Sequence, residues 1–250
     1  MATIVDQAVC IRHWDWSETS QTVSLLTREH GVVRGLAKGS RRERGAFSGG
    51  IELATRGELV AILKNTDALS TLTSWELRSL HAGLRRSLNA YNAGMYLIDL
   101  VFHAVTDRDP HPELFDALCR GLEALGADDA AVERAVLGFQ WAMLSETGYR
   151  PDLDIPGTLD VVRFRPELGR FSADDQSGWR VRGATVELLA SLDAGGLASA
   201  DEEAVARANR LLAAYIRHVL GREPPTMRVY WGGDPLSPAR ATGAAKGDSR

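Results

Sequence analysis

Residues 16–44 read WSETSQTVSLLTREHGVVRGLAKGSRRER, and the fold of the first third of the chain depends on how this stretch divides. Two segments that alternate apolar and polar residues, Thr22 to Thr27 and Val32 to Ala37, flank a turn at Gly31. Period-two alternation on both sides of a glycine is the pattern of a β-hairpin. The second segment runs straight into basic residues: from Arg28 to Arg44 there are six (Arg28, Arg34, Lys38, Arg41, Arg42, Arg44) against two acidic ones (Glu29, Glu43). That local charge of +4 sits inside a chain whose total is −4. A loop edged by Gly39 and Gly45 that carries such groups offers guanidinium forks to phosphate oxygens. A solvated charged loop with no partner has the same composition.

Outward from this hairpin, β-type patterning extends from residue 4 to about 77. Ile4 to Trp14 is rich in β-branched and aromatic residues, Ile51 to Asn65 carries two apolar segments around Gly57, and Leu69 to Leu77 alternates once more. Five short strands with turn signals between them, in about 75 residues, predict a small closed barrel of OB-fold size. Near Trp75 the period changes. Leu77, Leu80, Leu84, Leu88, Tyr91, Met95, Ile98 and Phe102 recur at steps of three and four, which predicts one helix from Glu76 to Ala104. Further helices are expected over Pro112 to Leu125 and Asp128 to Thr147, the latter with Asp128 as N-cap. Residues 149–184 are broken by prolines and glycines into β-like fragments, Leu159 to Phe164, Gly169 to Ser172 and Trp179 to Val181. Helical spacing resumes over Thr185 to Asp193 and Asp201 to Leu220, closed by Gly221 and Pro224 to Pro225. Met227 to Trp231 reads as a last short strand or a surface segment, and 232–250 as a disordered tail.

The expected class is therefore α+β multidomain: a five-stranded OB-fold barrel over 1–78, a helical domain over 79–148 and 185–231, a small β-rich insertion over 149–184, and a tail over 232–250. A hydrophobic fraction of 44% with 25% charged residues is that of an ordinary globular protein, and no apolar run approaches the roughly 20 residues of a membrane span. The opening MATIVDQAVCIRHW lacks the charged start, apolar core and cleavage site of a secretory signal, so a cytoplasmic location is expected. Cys10 and Cys119 lie far apart in apolar segments and read as buried free thiols, although spacing alone leaves a disulfide open. With this net charge, nucleic-acid binding must come from a patch rather than from the whole surface.

Catalytic chemistry finds few candidates. The six histidines (His13, His30, His81, His103, His111, His218) are scattered without metal spacing, and Asp152 with Asp154 forms a lone DxD in a proline-rich turn. No phosphate-binding glycine motif is present, so neither an enzyme nor a cofactor is expected. Binding residues are easier to nominate. Arg12, Arg34, Lys38, Arg41, Arg42, Arg44 and Lys64 lie on or beside the barrel and suit phosphates, though Arg12, Arg34 and Lys64 equally suit the solvent side of amphipathic strands. Trp14 and Trp16 either stack on bases or plug the barrel. On the helical layer, Arg85, Arg86, Arg120 and Arg134 lie beside apolar stripes; a groove with arginine at its rim suits an acidic, hydrophobic-ended peptide, and ordinary solvated helix charges are the alternative.

WSETS at 16–20, with LLTREHGVVRGLAKGSRR at 25–42, closely resembles the N-terminal domain of the RecO family of bacterial recombination mediators. The order of the later elements also agrees, over about residues 3–230: a barrel, helices, a Gly148-Tyr149 pair before a small inserted element, and a final helix ending in HVLGREPP. The resemblance implies a non-catalytic protein of recombinational repair. Its OB-fold would bind and anneal single- and double-stranded DNA, and with RecR it would help load RecA onto strands coated by SSB. It also implies that the helical domain holds the acidic C-terminal tail of SSB, for which Arg120 and Arg134 are the nominated residues. Many relatives carry a four-cysteine zinc site after the Gly-Tyr pair; Tyr149 to Ala184 contains no cysteine, so a zinc-free element is expected. An adaptor whose barrel binds protein, and a nuclease using Asp152 and Asp154, are the competing readings.

Overall fold

A computed structural model describes residues 2–42, 45–47, 49–64, 68–154, 159–173 and 177–235. Five strands, β1 (Ala2–Ser17), β2 (Ser20–Thr27), β3 (Gly31–Ala37), β4 (Arg56–Leu63) and β5 (Ser70–Ser79), close into a barrel in the order β1-β2-β3-β5-β4. All neighbours are antiparallel except β3 and β5, which run parallel through Gly35↔Ser70 to Ala37↔Leu72. This is the OB-type barrel that the alternation predicts. Gly31 makes the β2–β3 turn with φ of 66°, and a Cβ there would lie 2.3 Å from the backbone of Asp109, so the turn tolerates glycine alone. The barrel interior is filled by Ala8, Cys10, Val23, Leu25, Val33, Leu59 and Leu72 around one large plug, Trp75. Gly57 sits mid-strand because a Cβ would fall 2.6 Å from the Trp75 ring.

The helical part comprises α1 (Leu88–Ala104), α2 (Pro112–Ala124), α3 (Asp129–Glu146), α4 (Gly183–Ser191), α5 (Glu202–Leu220) and α6 (Pro225–Trp231). Side chains at three N-termini satisfy free backbone donors: Ser87 accepts from the Ala90 N–H at 3.0 Å, Asp128 from Ala131 at 2.7 Å and Asp201 from Ala204 at 3.0 Å. Two expectations fail here. The helix predicted from Glu76 starts only at Leu88: β5 runs to Ser79, a 3₁₀ turn spans Ala82–Arg85, and Leu77, Leu80, Leu88 and Tyr91 of the supposed stripe are exposed. Steps of three and four happened to continue through strand residues, whereas the buried face of α1 is Ala90, Ala93, Leu97, Leu100 and Val101. Met227 to Trp231 is not a strand but the body of α6, which Pro225 opens at its first turn.

The inserted element is a three-stranded sheet, β6 (Val161–Arg165), β7 (Arg170–Ser172) and β8 (Trp179–Arg182), in the order β7-β6-β8. Phe164 lies at its centre, with ring centroids 4.7 Å from Phe171, 5.8 Å from Trp179 and 4.9 Å from Tyr215 of α5. The sheet thus shares the helical core rather than standing apart from it. The expected tail falls, from residue 236, outside the described residues. Cys10 is sealed in the barrel and Cys119 in the helical core, both as free thiols; burial raises both thiol pKa values, that of Cys119 to about 11.

The barrel and the helices are one packed body. Val9, Ile11, Leu26 and Val32, on the outer side of β1–β3, belong to the same apolar cluster as α1, α2 and α3. Ile11 points outward like Val9, and it is the extra residue between Cys10 and Arg12, a bulge that turns the strand. The bulge also sends Arg12 to Asp99 of α1, a carboxylate with no solvent exposure. Asp99 further accepts from the backbone N–H of Thr226 (3.1 Å), from its hydroxyl (2.6 Å) and from His103 Nε2 (3.3 Å). His103 Nδ1 faces Arg222 Nη2 at 2.6 Å, and burial lowers the histidine's pKa. A neutral ring that donates to Asp99 and accepts from Arg222 satisfies both contacts. Removing Asp99 strips Arg12 of its partner and breaks the link from β1 through α1 to α6. Asp99→Ala is expected to lower the unfolding free energy in urea by roughly 3–5 kcal/mol, and a loss below about 1 kcal/mol would contradict this role.

Candidate nucleic-acid interface

The β1–β2 turn, Ser17–Ser20, and the segment after β3 meet at one end of the barrel. The Gly39 N–H donates to Ser20 Oγ at 3.1 Å, and the Arg41 N–H to the Thr19 carbonyl at 3.1 Å. Beneath them lies Gln21, fully buried, whose Oε1 accepts from Ser40 Oγ (3.0 Å) and from the Ile51 N–H (3.0 Å) while its Nε2 donates to the Ile51 carbonyl (3.3 Å). The SETSQ run is therefore the socket of the basic loop, holding its two ends at residues 39–41 and 51. Two sequence motifs twenty residues apart form one structure.

The nominated cations separate into two groups. Arg12 is drawn into the Asp99 pair, its guanidinium 4.7 Å over the Phe102 ring, and Arg34 Nε lies 3.1 Å from Asp107. Arg28 forks onto Asp116 of α2 with bonds of 3.2 and 3.0 Å, which holds that carboxyl below its usual pKa. These three bind the barrel to the helical domain. Lys38 and Arg42 are exposed and have no ion partner among the described residues. Arg41 pairs with Asp15 at 2.5 Å at the surface, an interaction worth little in water and open to exchange for a phosphate. Arg44 lies outside the described residues. Lys64 is half-buried, one residue beyond the end of β4. Asp152 of the DxD accepts from the Asp154 N–H at 3.0 Å, a local turn in which its carboxylate is engaged.

Trp14 and Trp16 do not plug the barrel. They are 50% and 64% exposed, and Trp75 fills the interior instead.

Arg120 and Arg134 come together on the rim of one cavity of about 560 Å³ between α2, α3 and the turn at 192–198. Its volume exists because the facing positions are small: Gly121 and Ala124 on α2, Ala135, Gly138 and Ala142 on α3, with Leu197 across the mouth. Arg134 Nη2 donates to the Ala200 carbonyl at 3.1 Å, while its Nε is buried without a partner. An apolar floor with two guanidinium groups at the edge suits an extended peptide that is both acidic and apolar. The groove expected beside the helical arginines is built here by small residues at steps of three and four on both helices.

The model of the recombination protein O N-terminal region matches residues 1–81, and that of its C-terminal region matches residues 85–228. The chain belongs to the RecO family. A DNA repair protein RecO of Anaeromyxobacter sp. (strain Fw109-5) is 33% identical over 232 residues, covering 85% of this chain and 89% of that one. The protein of the same name from Myxococcus xanthus is 30% identical over 227 residues, 87% and 92% of the two chains. The Rhodopirellula baltica one is 38% identical over 146 residues, 58% of this chain and 53% of its own length. In this RecO chain the inserted sheet does not fit a four-cysteine zinc site: it has no thiolate to offer, and its interior is the Phe164, Phe171 and Trp179 cluster.

Gln21 decides whether the loop keeps its shape. Gln21→Ala leaves the buried Ile51 N–H without an acceptor and is expected to cost about 2 kcal/mol. Limited trypsin digestion should then cut at Arg41 and Arg42 markedly faster than in the unaltered protein while cutting elsewhere no faster; equal loop cleavage would refute the socket.

Proposed function

We propose that this chain is a DNA-binding mediator of recombinational DNA repair, acting by charge neutralisation rather than catalysis. Its relatives carry the name DNA repair protein RecO, and membership of a mediator family points the same way. The observation that carries the reading is the position of Lys38, Arg41 and Arg42: cations held on a fixed socket at one end of an OB-type barrel, in a chain of net charge −4. Phosphates bound there release counterions, and two strands whose charge is reduced approach closely enough to pair. The same loop would accept duplex or single-stranded DNA, because phosphate contacts carry no sequence information. Lys64 would extend the basic track as a secondary contact, as would Arg34 where a phosphate displaces its exposed pair with Asp107; Arg44 lies outside the described residues.

Lys38, Arg41 and Arg42 changed together to Ala should weaken binding to a labelled oligonucleotide. They should also flatten the dependence of log affinity on log salt by roughly 0.7 for each lost phosphate contact on a single strand. An unchanged slope would reject this mechanism in favour of an adaptor whose barrel binds protein.

Recruitment would come from the helical domain. The cavity between α2 and α3, with Arg120 and Arg134 at its rim, is proposed to take the acidic C-terminal tail of SSB, with the apolar end of the peptide on the alanine and glycine floor. On SSB-coated strands the protein would then act in the cytoplasm with RecR to admit RecA. Among the described residues no helix is long and apolar enough to cross a membrane. Gly138→Leu fills the cavity without altering charge and should reduce binding of an SSB-tail peptide at least tenfold by calorimetry, with oligonucleotide affinity preserved. Retained peptide binding would exclude this cavity.

A further inference from the structure

The inserted sheet has two faces of opposite chemistry. Val162, Phe164, Phe171 and Val181 point into the helical core, where Phe164 meets Tyr215 of α5 with ring centroids 4.9 Å apart. Alternation along the strands sends Arg163, Arg165, Arg170, Arg180 and Arg182 to the other face. Register then brings them together: Arg163 stands opposite Arg180, Arg165 opposite Arg170, and Arg182 opposite Val161. Besides the arginines, the strand positions of this face hold only Val161 and Ser172, and no acid. At about 4.8 Å between strands and 3.3 Å per residue, the arginine-bearing area measures roughly 10 Å by 13 Å.

Little among the described residues neutralises this charge. Arg165 pairs with Glu167 in the β6–β7 turn, and Arg163 donates to the Gly178 carbonyl at 3.5 Å. Arg170, Arg180 and Arg182 are exposed and have no ion partner among the described residues; Asp174 and Asp175 lie outside these. At the edge of β7 Asp152 is bridged to Arg170 through the backbone, and its carboxylate accepts from the Asp154 N–H at 3.0 Å. Like charges placed directly across a ladder oppose strand pairing, and here this happens in two adjacent pairs. The aromatic cluster beneath holds the sheet together against that repulsion. An anion laid across the face would relieve it, whereas a merely solvated face gains nothing from carrying charge of one sign.

We infer that this arginine face is a second, separate phosphate-binding site, which grips the backbone of a DNA strand other than the one held at the basic loop, so that one molecule holds two strands at once. The inference rests on the proposed DNA-binding function and adds to it a site on a different part of the chain: the barrel is seated on α1, α2 and α3, the sheet on α5. Phosphates fit the face better than an acidic peptide does. All five cations are arginines, whose planar forks take phosphate oxygens in pairs. Val161 is the one apolar residue at its strand positions, so a peptide would find little to bury. A length of about 13 Å spans about four phosphates of one strand. Two strands held on one molecule meet at a raised effective concentration, which speeds their pairing without catalysis.

The test uses the full chain, a short oligothymidine fixed to beads and a second, labelled oligothymidine; thymidines do not pair with one another, so the label stays on the beads only where the protein holds both strands. Arg170, Arg180 and Arg182 are changed together to Ala. All three are exposed and their loss relieves repulsion, so the thermal unfolding midpoint should not fall. Retention of the labelled strand should drop on the order of tenfold, while capture of the protein by the bead-bound strand stays within about twofold. Arg180→Ala alone, the milder change, should lower retention about threefold. Undiminished retention would overturn the second site and leave the loop mechanism standing. Equal loss of bead capture and retention would overturn it too, because the two sites would then not be separate. So would polyglutamate that displaces the label, but not the protein from the beads, as well as unlabelled oligothymidine does, since the face would then be one for acidic protein. Failure of the unaltered protein to bind the beads would overturn both the inference and the proposed function.

Discussion

Asp99 sets the geometry on which the rest depends. A carboxylate with no exposure, seated in the middle of a helix, is tolerable only if its charge is matched and its lone pairs are filled. Here the matching charge comes from a β-strand of another layer, Arg12, and the remaining acceptance from the hydroxyl and amide of Thr226, at the start of the last helix. No single element can satisfy Asp99 alone. Barrel, α1 and α6 must therefore assemble in one arrangement, and misplacing any of them exposes a buried charge to an unfavourable medium. An apolar contact of equal area would hold the parts together without fixing their angle.

The same logic sorts the basic residues of the barrel. Arginine is used twice over in this chain: once as a rigid fork that fastens one layer to the next, at Arg12 and Arg28, and once as a free group on a loop, at Arg42. What separates the roles is which side of β3 a residue lies on. Arg28, in the turn before the strand, meets Asp116 of α2, and Arg34 within it meets Asp107, whereas Arg42, past its end, has no ion partner among the described residues. A charge count over 28–44 cannot see this division, because it depends on which end of the strand faces the second layer. The local excess of positive charge overstates what is available for a ligand, and the true number is smaller but better placed.

Much of the barrel was legible in segments of alternating and β-branched residues, even where the helices cover the outer face and Val23 to Thr27 are buried on both sides. Thr22–Thr27 and Val32–Ala37 are such segments, and both lie inside the observed strands. Where the pattern misled, a physical reason is visible. The stripe from Leu77 to Phe102 passed across a strand, a 3₁₀ turn and a helix, since leucines three and four apart do not record that Ser87 starts the helix with its side chain. The prolines at 224 and 225 end one helix and equally begin another, which local spacing reads as a stop alone. For the sites, residue chemistry nominated the cations, including Arg120 and Arg134, whose meeting across a cavity needs the crossing of α2 and α3. Gln21 was invisible for the opposite reason: a glutamine in a polar run gives no sign that it is buried.

The bulges in β1 connect these observations. A regular strand of sixteen residues would carry its side chains in strict alternation, and either Arg12 or Trp14 would have to share its direction with the barrel interior at some point along the coil. Two inserted residues, Ile11 and Trp16, break that constraint at opposite sides of the surface-facing segment. The first, at an isoleucine that faces the helical core, re-aims the next residue, Arg12, to Asp99. The second, four residues after Arg12, frees an indole from the ladder just before the turn that holds the basic loop. Attachment of the barrel and exposure of an indole beside the basic loop are thus achieved on one strand by the same device.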